Sequence, residues 1–129
     1  MGRYAYVRYG NLQFEYKFAF AEQCSNLGYF LRDALPEYVS RYISEDFGGG
    51  EYVEIYGDKD KILDKLRKYI DEMKKKLVIG KISGEEPVCP LCGSPKCFKH
   101  SVLMLEEFLN AVDKCDCERV DSLIYVEYW

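Results

Sequence analysis

The segment Gly84–His100 sets the first constraint on this chain. It is rich in Gly, Pro and Cys and too poor in apolar residues to fold by burying them. Within it, Cys89-Pro90-Leu91-Cys92-Gly93 places two thiolates two residues apart in a turn that can grip one tetrahedral ion. Pro90 fixes a backbone dihedral, and Gly93 relaxes the close approach of backbone to sulfur. Cys97-Phe98-Lys99-His100 adds a C-x2-H unit just before a helix expected to be capped by Ser101, so the full spacing is C-x2-C-x4-C-x2-H. A helix N-terminus suits a thiolate-rich site because its dipole favours negative charge. The expected ligands of one structural zinc ion are therefore Cys89, Cys92, Cys97 and His100. Metal binding would supply the folding free energy that the segment lacks.

The five-residue turn resembles the knuckle shared by zinc ribbons, treble clefs and rubredoxins, and it is too short to single out one family. Several other uses of the cysteines compete with it. Cys115-Asp116-Cys117 is a rival second pair, separated from His100 by a helix of about a dozen residues, or ~18 Å at 1.5 Å per residue. It reaches the knuckle only if the chain doubles back, and whether it replaces the Cys97 and His100 pair or forms a disulfide stays open. An iron–sulfur cluster fits less well, since C-x2-C-x4-C is not a usual ferredoxin spacing. Cys89-Pro90-Leu91-Cys92 superficially resembles a glutaredoxin-type dithiol, but that chemistry needs a helix starting at the first Cys, and Gly93-Ser94-Pro95 is read as forbidding one. Cys24 reads as a buried structural thiol or as a disulfide partner for Cys115 or Cys117.

Around this segment the pattern is that of an α+β protein. Arg3–Tyr9 and Gln13–Phe20 read as a hairpin about Gly10-Asn11-Leu12, with Phe14, Tyr16, Phe18 and Phe20 on one face. Leu27 through Tyr42 recurs at helical spacing, with Ser25 or Asn26 as N-cap and Pro36 forcing a kink or a division into two short helices. Gly48-Gly49-Gly50 reads as a turn and Tyr52–Tyr56 as a strand. A helix capped by Asp58 then carries the stripe Ile62, Leu63, Leu66, Tyr69, Ile70, Met73 and Leu77. Leu77–Ile82 is expected to pass into a short strand, Val102–Asp113 to form a helix, and Leu123–Trp129 to form a final strand. The order is ββαβα-zinc-αβ. It predicts an antiparallel or mixed sheet of four to five strands with helices on one face, in one domain spanning 1–129. A cysteine-rich zinc-knuckle lobe occupies 84–117.

Composition narrows the function classes. The chain is 129 residues long with a hydrophobic share of 48% and a charged share of 31%, the balance of a folded soluble domain. No apolar run approaches the ~20 residues that cross a bilayer. Met1-Gly2-Arg3-Tyr4 lacks a signal-peptide core, and Tyr6 stands where a myristoylation signal needs Ser or Thr, so a cytoplasmic protein with no membrane partner is expected. Two Gln, three Asn and no Thr, beside abundant Lys and Glu, give the bias of thermophile proteins. Disulfides persist inside cells chiefly in such organisms, so the bias bears on the cysteines.

Net charge is −4, yet Lys59–Lys81 alone carries +5. Lys74, Lys75, Lys76 and Lys81, with Lys96 and Lys99 on the metal loop, are candidate nucleic-acid contacts, helped by stacking on the strand tyrosines Tyr4, Tyr6, Tyr52 and Tyr56. Asp58, Asp60 and Asp64 fail the calcium-loop pattern, because Leu63 stands where its Gly belongs. Gly48–Gly50 lacks phosphate-loop spacing. With the sole histidine assigned to metal, no catalytic constellation is evident and the reading leans away from an enzyme. The expected function is a non-catalytic zinc-containing adaptor for a protein partner, with nucleic-acid binding as the alternative. A homodimer through an exposed C-terminal edge strand is a further expectation.

Overall fold

Alternation along the strands decides which side of the sheet is buried. The structure, a computed structural model, describes residues 2–44 and 50–128; Gly48 and Gly49 of the glycine turn and Trp129 of the last strand lie outside them. The elements are β1 (Arg3–Gly10), β2 (Glu15–Lys17), α1 (Leu27–Ala34), β3 (Val39–Ser44), β4 (Glu51–Asp58), α2 (Lys59–Ser83), α3 (Pro95–Lys114) and β5 (Arg119–Tyr128). They form an α+β fold with a five-stranded sheet in the order β2-β1-β5-β4-β3. Every neighbouring pair is antiparallel.

On one sheet face Ala5, Val53, Ile55, Val120, Ile124 and Val126 are buried against the helices. Their partners in register place Tyr6 opposite Tyr125 and Tyr52 opposite Tyr125 on the other face, which no helix among the described residues covers. The helix layer closes the core with Leu27, Phe30 and Leu31 from α1, Ile62, Leu66 and Ile70 from α2, and Met104, Leu105 and Phe108 from α3. Phe14, ahead of β2, meets Phe108 edge-on at 5.4 Å between ring centroids. Each of these large side chains contributes about 1.5–3 kcal/mol on leaving water.

Four local expectations change. The run Leu27–Tyr42 is not helical throughout: α1 stops before Pro36, and Val39 to Ser44 pairs with β4 as an edge strand. Pro36 disfavours helix in the residue before it, so Val39 and Tyr42, which match a helical stripe, are free to form a strand instead, while Tyr38 lies in the turn between. Leu77–Ile82 is not a strand but the last turns of α2, which runs to Ser83 and ends at Gly84 in the left-handed conformation, φ 82°. The third helix begins at Pro95 rather than Val102. Ser94, not Ser101, is its N-cap and accepts from the Cys97 N–H at 3.3 Å, while Pro95 sits at the first helical position, where its missing N–H costs nothing. Finally, β5 is not an edge. It lies between β1 and β4 at the sheet's centre, and the edges are β2 and β3, so the C-terminal strand offers no free ladder to a second copy.

Candidate metal centre

Two loops and one helix start bring the site together. Residues 18–26 join β2 to α1 and carry Cys24. Residues 84–94 join α2 to α3 and carry Cys89 and Cys92. The first turn of α3 carries Cys97. In the knuckle the Gly93 N–H donates to the Cys89 carbonyl at 2.8 Å, with Gly93 at φ 74°, a conformation that a side chain would strain. The Cys89 N–H donates to the Ser94 carbonyl at 3.1 Å, tying the turn to the helix cap.

The sulfurs of Cys24, Cys89, Cys92 and Cys97 all lie within 4.8 Å of one another. Cys24 Sγ is 3.7 Å from Cys89 Sγ and 3.5 Å from Cys97 Sγ. Zinc–sulfur bonds of about 2.3 Å in a tetrahedron put sulfurs about 3.8 Å apart, so these separations are those of a metal–tetrathiolate rather than of a disulfide. The four cysteines are thus compatible with a bound metal ion. Cys89 and Cys97 are buried, Cys24 is half-buried and Cys92 is exposed.

His100 has gone elsewhere. Its Nε2 is 2.8 Å from Glu22 Oε2, and Lys96 Nζ is 3.4 Å from Glu22 Oε1. These contacts, the His100 hydrogen bond foremost, hold the Glu22 carboxyl below its ordinary range. The C-x2-H unit is therefore divided, with Cys97 in the cluster and His100 hydrogen-bonded to Glu22 beside it. Cys115 and Cys117 are bonded to each other at the far end of α3, with Cα atoms 5.3 Å apart, so neither replaces a cluster sulfur nor pairs with Cys24.

A polar shell holds the sulfurs. Asn26 occupies the N-cap position of α1 but does not cap it. Its Nδ2 donates instead to Ser101 Oγ at 2.7 Å and lies 3.3 Å from Cys97 Sγ and 3.5 Å from Cys89 Sγ. Ser101 Oγ in turn donates to the Cys97 carbonyl at 2.7 Å, and the Cys24 N–H donates to Cys97 Sγ at 3.3 Å. Next to Cys24, the buried Gln23 accepts from the Tyr16 hydroxyl at 2.7 Å, and its carbonyl accepts from Arg3. The loop 18–26 is thus fastened to α3 by polar contacts as well as through sulfur.

Electrostatics make the cluster ready for a cation. Burial alone pushes the Cys89 thiol up, but hydrogen bonds from Asn26 and from the Cys92 and Leu91 backbone N–H groups outweigh it and bring it down to about 7. Burial pushes Cys97 up to about 11 despite the Cys24 N–H, and Cys24 rises further, from burial and from its two sulfur neighbours. Four thiols in one pocket cannot all ionise without a counter-charge. A bound metal cation would supply it and turn mutual repulsion into coordination.

Sequence reasoning missed Cys24, though a signal was present. If Cys115 and Cys117 close on each other, one set of four cysteines remains, and Cys24 sits among them in the polar run Glu22-Gln23-Cys24-Ser25-Asn26.

The proposed basic surface does not come together with the tyrosines. Lys74, Lys75, Lys76 and Lys81 lie on α2 and Lys96 and Lys99 on α3, in the helix layer, whereas the strand tyrosines face away from it. Lys74 pairs with Glu106, Lys75 with Glu72, Lys96 with Glu22 and Lys99 with Glu86. Among the described residues no helix is long and apolar enough to cross a membrane. No protein-family model matches the chain, and no curated protein and no solved structure is found similar to it.

Proposed function

We propose that Cys24, Cys89, Cys92 and Cys97 hold one structural zinc ion, and that the protein is a non-catalytic binding protein whose protein partner docks on the uncovered sheet face. A four-sulfur set at tetrahedral spacing suits zinc, and a closed set leaves no position for a reactive water. The ion acts as a staple. It joins the β2–α1 loop to the α2–α3 loop across 65 residues of sequence, so the binding free energy becomes folding free energy.

The observation that carries the binding role is the composition of the open face. Tyr52 and Tyr125 stack at 4.6 Å, and Tyr6 meets Tyr125 edge-on at 5.8 Å. Arg8 lies over Tyr125 at 5.3 Å, and Arg119 over Tyr56 at 4.8 Å. Leu123 and Tyr52 line a hollow of about 250 Å³ with Arg41, Ile43 and Glu54. Tyr and Arg are the residues that dominate protein-binding hot spots. The charges of the face balance: Arg8, Lys17, Arg41 and Arg119 stand against Glu15, Glu54, Asp121 and Glu127. A phosphate backbone takes an excess of positive charge, and this face has none, which favours a protein over a nucleic acid.

Elemental analysis of protein purified without added metal tests the first half, with one zinc per chain expected; a folded, metal-free protein refutes it. For the second half, a photo-cross-linker at Tyr52 should capture a partner that one at Lys75 on the helix face does not, and Tyr125→Ala should abolish that capture. Equal capture from both faces refutes the docking surface. Salt-dependent retention on single-stranded nucleic acid that is lost in Lys74→Glu, Lys75→Glu, Lys76→Glu or in Tyr52→Ala would replace the protein partner with nucleic acid.

A further inference from the structure

The four sulfurs are not equivalent. Cys89 and Cys97 are buried, whereas Cys92 is exposed on the outer lip of the knuckle. A hollow of about 290 Å³ opens beside it, lined by Cys24 and Cys92 together with Arg3, Phe20, Glu22 and Ser94. Solvent and small solutes therefore meet the centre from one side, at two of its sulfurs. Oxidation follows thiolate character and access. Metal coordination keeps Cys92 as a thiolate, and exposure supplies the access.

We infer that Cys92 is an oxidative modification site, that its reagent class is the hydroperoxides, and that its reaction releases the metal. The inference rests on the tetrathiolate reading given above. In the first step the Cys92 sulfur attacks the near oxygen of a hydroperoxide. A sulfur–oxygen bond forms, the oxygen–oxygen bond breaks, and hydroxide or alkoxide leaves beside the Arg3 guanidinium to be protonated by water. Cys92 is now a sulfenic acid and the peroxide has been reduced by two electrons. In the second step the Cys24 thiolate, on the same hollow and within 4.8 Å of Cys92, attacks the Cys92 sulfur. A disulfide forms and the sulfenic oxygen leaves as hydroxide, becoming water. The net change is two thiolates to one disulfide against one peroxide to water and alcohol.

The consequence follows from the topology. With Cys24 and Cys92 bonded to each other, only Cys89 and Cys97 remain to hold the ion, and two sulfurs do not retain zinc against water and cellular ligands. The new bond also keeps the β2–α1 loop tethered to the knuckle, so the chain is not cast loose when the ion departs. A dithiol reductant restores both thiolates by exchange and the site can refill. Cys115–Cys117 lies at the other end of α3 and takes no part.

The test uses the full-length, zinc-loaded protein and hydrogen peroxide added stepwise to one equivalent. Zinc release is followed with a chromogenic chelator, sulfenic acid is trapped with a dione reagent, and the sulfurs are mapped by peptide mass spectrometry. The expected result is trapping at Cys92 before Cys89 or Cys97, a Cys24–Cys92 cross-link, one zinc released per cross-link, and full recovery with dithiothreitol and zinc. Ala21→Phe, on the same loop beside the hollow, is expected to slow release severalfold with the zinc content unchanged. Zinc retained in one equivalent of peroxide, or a first oxidation at Cys89 or Cys97, overturns the inference while leaving the tetrathiolate reading intact. A protein that carries no zinc before peroxide is added overturns both, and the two failures are told apart by that first measurement.

Discussion

Cys24→Ser bears most directly on the proposed metal centre, because Cys24 is the cluster sulfur supplied from outside the α2–α3 loop and the start of α3. Structural zinc sites with four ligands bind with roughly 10–16 kcal/mol, or about 2.5–4 kcal/mol per ligand, so losing one thiolate is expected to weaken binding by about 10²–10³-fold. The same change opens the long loop. A cross-link between Cys24 and Cys89 spans 65 residues, and closing a loop of that size removes about 4 kcal/mol of unfolded-state entropy on the chain model. The two figures describe overlapping free energy and are not additive, so unfolding at saturating zinc is expected to be easier by about 3–4 kcal/mol. His100→Ala is the matched control. It breaks a partly exposed contact with Glu22 that solvent screens, and it touches no sulfur. Affinity is measured by competition with a chromogenic chelator, and stability by denaturant unfolding with and without zinc. If His100→Ala loses zinc as severely as Cys24→Ser, or if Cys24→Ser keeps full affinity, the assignment of the fourth ligand is refuted.

Other consequences are open to measurement. Asn26→Ala removes the donor that Cys97, Cys89 and Ser101 share, and zinc affinity is expected to fall about 10–100-fold by chelator competition; unchanged affinity would mean that the amide only fills space. Glu51, buried at the start of β4 with its Oε2 unpartnered among the described residues, is held protonated by burial up to about 7 instead of 4.5. Its folded form binds the proton more tightly than its unfolded form, so its contribution is complete below 4.5 and is lost as pH rises through about 7. Glu51→Gln should therefore raise unfolding free energy by about 3 kcal/mol at pH 8 and leave it unchanged at pH 4, checked by urea unfolding at both. Replacing Cys115 and Cys117 together by Ser opens a very short ring, expected to cost only about 1–2 kcal/mol with zinc content unaltered; loss of zinc would tie that disulfide to the metal centre.

The knuckle was legible in the chain because its chemistry is local. Cys89, Cys92 and Gly93 are neighbours, and the turn they make depends on a glycine dihedral and a proline ring rather than on anything distant. The same holds for the α2 stripe and its Asp58 cap, which accepts from the Lys61 N–H at 3.0 Å, and for the tyrosine alternation that marks the open sheet face. These are periodicities of 3.6 and 2, written in consecutive residues.

Tertiary structure alone decided the rest. Val39 and Tyr42 matched a helical stripe, and the ladder offered by β4 made Val39–Ser44 a strand. The C-terminal strand looked like an edge from its place in the chain, and only antiparallel pairing with both β1 and β4 put it at the centre. Cys97 and His100, three residues apart, pointed to one site by spacing; the approach of loop 18–26 gave Glu22 to the histidine and Cys24 to the sulfurs. A contact across 65 residues carries no local signature, because loop closure is set by how the helices pack on the sheet and not by the residues at its two ends.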